Sequence, residues 1–537
     1  MKLHSQDAAR ARRHRCVQGF SVLAAFCMSC ATALAQSEPT AAEAAAAAAA
    51  AQAEVQPAPA PVLPPQRVRS IRLGASEYLP AARIEAATRP FVGQVLDNRT
   101  LEALLGALGG LYDAEGIALA TPVIEAVDGA RGEVRVGFVE ARLGQVRARS
   151  ETVSDAYLAY RLNIPSGALA DNRAIAERLE RLTATDGMLL DADFAPGAAP
   201  GETDLVITAE AGPPVTTTVS LDSYGSRSNG RYRLGVNTRI ASLTGFNDPL
   251  TLGATLREGA VNLSLGYGRV VHPDGTRLSL SLEAGRTRNL LGTDLRGRTF
   301  FAGVGVSHPM IATAESTLSA NGLVQYFRED STLVGVRTLD QRGWVLSLGV
   351  SGSRLGDLWA VAGGADLQVG RYTDHVADET RSFSAVTVNG EVSHVLFGGR
   401  TTGSLSMSGQ LALRDAMPAP YAFTVTSAFA VRGYPSGALS GDSGLWVRGQ
   451  IEAREAFRPG NGQVALVPFA FIDAGVAYDR DGGSHVSRGR AGSAGFGTSF
   501  GFGGATSGEI FVARPLRDLP GQVRNRLWVE AGLRHRF

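Results

Sequence analysis

The chain has 537 residues, of which 64 are glycine and 7% aromatic, and its formal net charge is +1. That length exceeds one ordinary domain and points to two or three. So even a charge balance excludes the strongly basic surfaces that neutralise nucleic-acid phosphates, and no nucleic-acid partner is expected.

At the N-terminus, Arg10, Arg12, Arg13 and Arg15 precede an apolar run over residues 17–34 and the triplet Ala33-Leu34-Ala35. Basic, apolar, then small is the order of a secretory signal, so residues 1–35 are predicted to be a signal peptide cleaved after Ala35. Arg12-Arg13 matches a twin-arginine signal poorly, and Cys27 and Cys30 match a lipoprotein site poorly. Cys16, Cys27, Cys30 and the single lysine, Lys2, all lie inside this stretch. Beyond residue 35 the sequence therefore offers no thiolate nucleophile, Schiff-base lysine, P-loop lysine or cysteine-ligated metal. No later stretch supplies ~20 consecutive apolar residues, so no membrane-spanning helix is expected. An exported chain of this kind is either soluble in the periplasm or a β-barrel.

Residues 36–66 are low in complexity. Residues 40–55 are dominated by alanine, and a proline-rich spacer follows from Gln56 to Pro65. Alanine favours helix, yet the stretch lacks an apolar stripe of large residues, so a tethered helix and a plain linker are both open.

Residues 67–140 read strand, helix, helix, strand, strand. Val68-Arg69-Ser70-Ile71-Arg72-Leu73 alternates, residues 80–88 and 99–112 have helical spacing, and residues 123–127 and 133–139 are β-like. Leu101, Leu104, Leu105, Leu108 and Leu111 share one face of the second helix. Residues 141–212 repeat the order, with a strand at 143–149, helices at 154–162 and 172–182, and strands at 189–194 and 203–209. Ile175, Leu179 and Leu182 form the inward face of this module's second helix. Two successive modules of about 75 residues with one order are an internal repeat. The order resembles the polypeptide-transport-associated (POTRA) domain, an α+β module that stands in the periplasm ahead of outer-membrane assembly and secretion barrels. The plainer alternative is two unrelated small domains.

From residue 213 to 537 helical periodicity vanishes and glycine becomes frequent. Leu278, Leu280 and Leu282 alternate with Ser279, Ser281 and Glu283, and similar segments recur to the end. Such alternation is what lipid on one face and a watery lumen on the other require. At roughly 20 residues per strand and connection, this region predicts a transmembrane antiparallel β-barrel of about 16 strands. In the last strand, Leu527, Val529, Ala531 and Leu533 face one way, and Trp528, Glu530, Arg534 and Arg536 the other, with His535 at the membrane edge. The ending on Phe537 resembles the C-terminal strand signal read by the barrel-assembly machinery.

Phe429-Ala430-Val431-Arg432-Gly433-Tyr434, followed by Gly441-Asp442-Ser443-Gly444, resembles the inward loop of the two-partner secretion transporters, the haemolysin and filamentous-adhesin exporters. Phe469-Ala470-Phe471-Ile472-Asp473-Ala474-Gly475 is similar to that family's second motif, an aromatic followed by Asp-x-Gly on the inner barrel wall. The stretch from Asp222 to Arg231 resembles the family's barrel entry, and Tyr267-Gly268-Arg269-Val270-Val271-His272-Pro273 its second hairpin. Between them, Leu243-Thr244-Gly245-Phe246-Asn247-Asp248-Pro249 departs from the usual Asn-Pro-Leu-Gly pattern. The resemblance spans residues 67–537. It implies that Val431, Arg432, Gly433 and Tyr434 form a loop tip in the lumen, facing Phe471, Asp473 and Gly475, with Arg432 meeting Asp473. In a hydrated lumen that pair is expected to contribute closer to the ~0–1 kcal/mol of exposed pairs than to a buried value. The alanine-rich stretch would correspond to a helix that can plug the pore.

The expected function is secretion of one large partner exoprotein through the barrel, with the periplasmic modules recognising that cargo and outer-membrane lipid around a monomer. The alternatives are an assembly factor or insertase of the same superfamily, which usually carries more than two such modules, and a passive porin. No enzyme activity, catalytic residue, cofactor or metal is expected. Gly441-Asp442-Ser443-Gly444 looks like a serine-protease segment without identifiable partners. Gly501-Phe502-Gly503-Gly504 falls among alternating strand residues, and the histidines are scattered without ligand spacing.

Overall fold

A computed structural model describes residues 66–537, except 211, 460–462, 482, 483 and 520–525. The predicted signal, the alanine-rich stretch and the proline run lie outside the described residues.

The first module contains β1 (Ser70–Leu73), α1 (Ala81–Thr88), α2 (Asn98–Ala114), β2 (Ala120–Asp128) and β3 (Glu133–Glu140). The second repeats it with β4 (Arg142–Ser150), α3 (Asp155–Leu162), α4 (Asn172–Asp186), β5 (Leu189–Pro196) and β6 (Glu202–Glu210). In each sheet the last strand is central, parallel to the first and antiparallel to its hairpin partner. Helix starts follow local chemistry: Asp97, Ser154 and Asp171 accept hydrogen bonds from the first-turn amides of α2, α3 and α4. Gly187 ends α4 in the left-handed region, φ 71°. The buried ridge of α2 is Leu104, Leu108 and Tyr112, with Leu101 and Leu111 at its margins. In α4, Ile175 and Leu182 are buried and Leu179 packs beside them.

Sixteen antiparallel strands in chain order close the barrel. They are β7 (Val215–Asp222), β8 (Arg233–Ile240), β9 (Leu250–Arg257), β10 (Ala260–Val270), β11 (Arg277–Arg288) and β12 (Leu295–Ala312). Next come β13 (Ser316–Leu333), β14 (Val336–Leu355), β15 (Trp359–Asp374), β16 (Glu379–Leu396) and β17 (Thr401–Arg414). The circuit ends with β18 (Ser443–Ala453), β19 (Val464–Asp481), β20 (Ser484–Phe502), β21 (Thr506–Pro515) and β22 (Trp528–Arg536). Strand β22 pairs with β7, and the Phe537 amide donates to the Thr217 carbonyl at 2.8 Å. Leu278 and Leu280 lie exposed on the outer wall, while Glu283 lines the lumen. Exposed Leu527, Val529 and Leu533 put the last strand's apolar face outward, and Glu530 is buried inside.

The barrel is uneven in height. Strands β7 to β9 have 8 residues each, whereas β14 has 20. At about 3.4 Å per residue and a tilt near 40°, β14 rises about 50 Å, twice the roughly 25 Å apolar band of such barrels. Phe300, Tyr326 and Trp344 form an outward aromatic row, with ring centroids 5.2–6.5 Å apart. Such a row marks the outer lipid interface. Beyond it stand charged positions such as Arg298, Asp330, Arg342 and Arg381.

The second module is fastened to the periplasmic turns. Arg161 on α3 and Asp186 on α4 form an ion pair whose side chains are each 1% exposed, and Arg161 also donates to the Pro273 carbonyl of the β10–β11 turn. Tyr160 donates to the Val271 carbonyl at 3.0 Å, and Ser154 N to the Gly245 carbonyl at 2.8 Å. The departing segment at residues 243–249 is the β8–β9 turn. It folds around buried Asp248, which accepts from Thr244 N at 2.9 Å, the Thr244 hydroxyl at 2.8 Å and the Tyr267 hydroxyl at 2.9 Å. Phe246 on this turn meets Tyr157 edge-on, so the unusual sequence serves the junction with the second module.

Candidate functional site in the barrel lumen

Residues 415–442 join β17 to β18 and fold back into the lumen. Phe423–Thr424 pairs with Ser440–Gly441, making the loop a hairpin. Beyond this pairing, Val425 N donates to the Leu439 carbonyl and Leu439 N to the Thr426 hydroxyl, both at 2.9 Å. The tip then turns through Gly433, at φ 85°.

The facing wall is built by strand alternation. On β19 every second residue from Phe469 to Gly475 points inward, while Ile472 lies exposed on the lipid side. The Phe469 and Phe471 rings lie over Gly497 and Gly495 of β20, where a Cβ would meet those rings at 2.6 and 2.5 Å. Gly475 leaves the space that Val425 and Val431 of the loop fill.

Arg432 and Asp473 meet in this pocket. Nε donates to one carboxylate oxygen at 2.8 Å and Nη2 to the other at 2.8 Å, a bidentate fork, and the Arg432 amide adds a third bond at 3.2 Å. Nη1 reaches Gln450 Oε1 at 2.9 Å. The guanidinium carbon lies 3.5 Å from the Phe471 ring centroid, a cation–π contact. The side chains are 3% and 0% exposed. The pocket is dry, so the expectation of a weak, hydrated pair is corrected: loop and aromatic wall together exclude the water that would screen it. Tyr434 is buried, and its hydroxyl lies 2.7 Å from the Gly492 carbonyl and 2.9 Å from the Arg517 carbonyl, either of which can take its single proton.

Two members of the site escape sequence reasoning. Gln450 lies on β18 opposite Phe471, and Phe511 on β21 packs edge-on against that ring with centroids 5.8 Å apart. A glutamine or phenylalanine in an alternating strand carries no signal of its own. Phe537 stands apart, exposed at the foot of the barrel.

Ser443 does gain a histidine neighbour, since its hydroxyl lies 3.3 Å from His485 Nδ1. The other nitrogen of that ring faces the Arg480 guanidinium at 3.2 Å, and the buried Ser443 hydroxyl accepts from Ala412 N. A cation where a triad needs an orienting carboxylate makes this a structural contact. Gly497-Thr498-Ser499-Phe500-Gly501 spells the Gly-x-Ser-x-Gly pattern but runs straight through β20, paired on both sides, with no strand-to-helix turn. Among the described residues, no cluster of three or more His, Cys, Asp or Glu is placed to hold a metal.

A closed barrel with an apolar outer wall, two α+β modules at its periplasmic mouth and a loop docked in its lumen defines an outer-membrane transporter of the POTRA-barrel type. A profile described as haemolysin secretion/activation protein ShlB/FhaC/HecB matches residues 201–500, and the chain belongs to that family. The haem/hemopexin transporter HuxB of Haemophilus influenzae is 21% identical over 465 residues, covering 82% of this chain and 81% of HuxB. The solved structure of CdiB from Escherichia coli superposes with a TM-score of 0.64 at 18% identity, covering 90% of this chain and 93% of that one. BamA from Haemophilus ducreyi lacking POTRA domains 1–3 gives a TM-score of 0.53 at 11% identity, covering 88% of this chain and 99% of that one.

Proposed function

We propose that this protein exports one large partner polypeptide across the outer membrane, and that the loop centred on Arg432 holds the lumen closed between passages. The observation that carries the reading is the dry Arg432–Asp473 contact in the lumen of a barrel whose periplasmic mouth is clamped to a POTRA-like module. The modules take the cargo's N-terminal region as an extended chain. Strands β2 and β5 are outer strands of their sheets, on the side opposite β1 and β4, so each leaves one edge for strand addition, in which backbone hydrogen bonds provide affinity. With the loop in place, a cavity of about 450 Å³ remains along β7 to β12, lined by polar side chains such as Ser220, Asn237, Asn262 and Glu283. Passage of a chain widens this space by moving the loop, a segment with two arrangements. Folding of the cargo outside supplies the driving force.

Membership of a secretion and activation family supports the exporter over an insertase, and the docked loop supports it over a passive porin. The protein works as a monomer, and the strand ending in Phe537 is the segment that the barrel-assembly machinery reads. The test is export of a candidate partner by the protein reconstituted in liposomes. Deletion of residues 67–212 is expected to reduce export strongly, and Arg432→Ala, which frees the loop, to change the export rate; unchanged export in both would sink the mechanism.

A further inference from the structure

Where the loop leaves β17, its first limb makes a contact unrelated to the tip. A helical turn at Ala419–Tyr421 carries Tyr421 onto the inner face of the tall wall. The Tyr421 ring lies 5.3 Å from Phe327, 5.8 Å from Phe383 and 6.4 Å from Phe301, centroid to centroid. Its hydroxyl donates to Gln325 Oε1 at 2.6 Å, and the Ala419 amide donates to Gln341 Oε1 at 3.0 Å. The Gln410 side-chain amide donates to the Tyr421 carbonyl at 2.8 Å and to the Asp442 carbonyl at 2.9 Å, tying the start of the loop to its end.

A lumen-facing phenylalanine is wetted unless something covers it. Phe327 and Phe383 are 0% and 1% exposed, and Tyr421 packs directly on both. These rings sit at the level of the outward Phe300, Tyr326 and Trp344, where the wall begins to rise beyond lipid. The root of the loop is therefore held on β12 to β17, and its tip on β18 to β21. The two contacts share no partner residue.

We infer that Tyr421 is a second latch on the inward loop, a positioning residue that works independently of Arg432, and that the lumen opens fully when both let go. Freeing the tip alone leaves the root against the tall wall. Freeing the root alone leaves Arg432 in its pocket. The latch concerns the loop itself; its part in secretion rests on the exporter reading.

Conductance in planar bilayers, recorded without cargo, tests the latch. Tyr421→Ala and Arg432→Ala are each expected to raise the opening frequency, and the double variant to raise it by roughly the product of the single effects, as independent sites do. Tyr421→Phe keeps the ring in its cage and loses only the bond to Gln325, so its opening frequency should fall between wild type and Tyr421→Ala, a graded response that a general loss of folding would not give. If Tyr421→Ala fails to give a folded barrel, Gln341→Ala and Phe383→Leu carry the same expectation in milder form. Conductance of Tyr421→Ala equal to wild type, in both the native and Arg432→Ala backgrounds, would overturn the inference. Altered conductance with no export of any partner in liposomes would retain the latch and sink the exporter reading.

Discussion

Replacing Asp473 by alanine isolates the tip contact. The change removes the acceptor of three hydrogen bonds to Arg432 and leaves the guanidinium with Gln450 and the face of Phe471. Removing one partner of a buried ion pair costs ~3–5 kcal/mol, because the other charge stays in a dry site without compensation. The loop has an escape that a protein core lacks, since Arg432 regains hydration by leaving the pocket. The cost therefore appears as a shift in docking, roughly two to nearly four orders of magnitude at about 1.4 kcal/mol per factor of ten.

Trypsin added from the outer face reads that shift. The bond after Arg432 is buried when the loop is docked and accessible when it is not. Where opening and closing are fast relative to cleavage, the cleavage rate follows the open population. Asp473→Ala is expected to be cut after Arg432 at least a hundredfold faster than wild type, on the lower figure above. Asp473→Asn, which keeps one acceptor oxygen and the shape, should fall between. Equal cleavage of wild type and Asp473→Ala in folded barrels would refute the claim that the ion pair holds the loop.

At Gly475 an alanine Cβ would strike Val425 and Val431; overpacking of that size costs ~1–3 kcal/mol, and a moderate rise in the same cleavage is expected. Arg161→Ala leaves buried Asp186 with the Tyr157 hydroxyl and the Arg277 guanidinium at 4.0 Å and removes the bond to Pro273, so the second module should lose up to ~3 kcal/mol of stability and swing more freely, as spin-label distances to the barrel would report. Nearby, burial alone would raise the Asp274 carboxyl, but the Thr276 hydroxyl and amide, then His272, outweigh it and hold the group at about 2. Because this folded value lies below the ordinary 3.8, the contribution to the β10–β11 turn is complete above about pH 4 and is lost as pH falls through 2. Hydrogen exchange over residues 271–276 should accelerate across that window in the native protein. In Asp274→Asn the step should be missing.

The modules were legible because their signals are local. Periodicity placed a helix at residues 99–112 where α2 spans Asn98–Ala114, and Ser154 marked the start of α3 by its own side chain. The tip motif was legible through a family resemblance, since nothing in spacing alone pairs Arg432 with a residue 41 positions on. The Tyr421 cage was not legible. Its rings come from separate strands, and in Phe300-Phe301 and Tyr326-Phe327 adjacent aromatics face opposite ways, so alternation cannot say which lies inside. The height of the wall was hidden too, because strand pairing continues past lipid with charged residues that resemble loop sequence. The dryness of the Arg432 pocket is a tertiary property: the glycines that let aromatic rings lie flat at Phe469 and Phe471 are on the neighbouring strand.

That dryness matters more than the charges. Two unit charges 4 Å apart attract by ~4 kcal/mol at an effective dielectric constant of 20 and by ~1 kcal/mol in water. A latch made this way is strong while its pocket is sealed and weak once wetted, which makes release abrupt; an apolar contact yields in proportion to the area exposed. The seal is aromatic, with the Phe471 ring over the guanidinium and Phe511 against that ring. Phe471→Ala touches neither carboxylate nor hydrogen bond, yet it should admit water and weaken the pair. In a double-mutant cycle of Arg432→Met and Asp473→Asn, read by the opening equilibrium in bilayers, the coupling should fall from several kcal/mol to ~1 kcal/mol when Phe471→Ala is present. A coupling that survives the loss of the ring undiminished would mean that hydrogen-bond geometry alone, rather than exclusion of water, holds the loop.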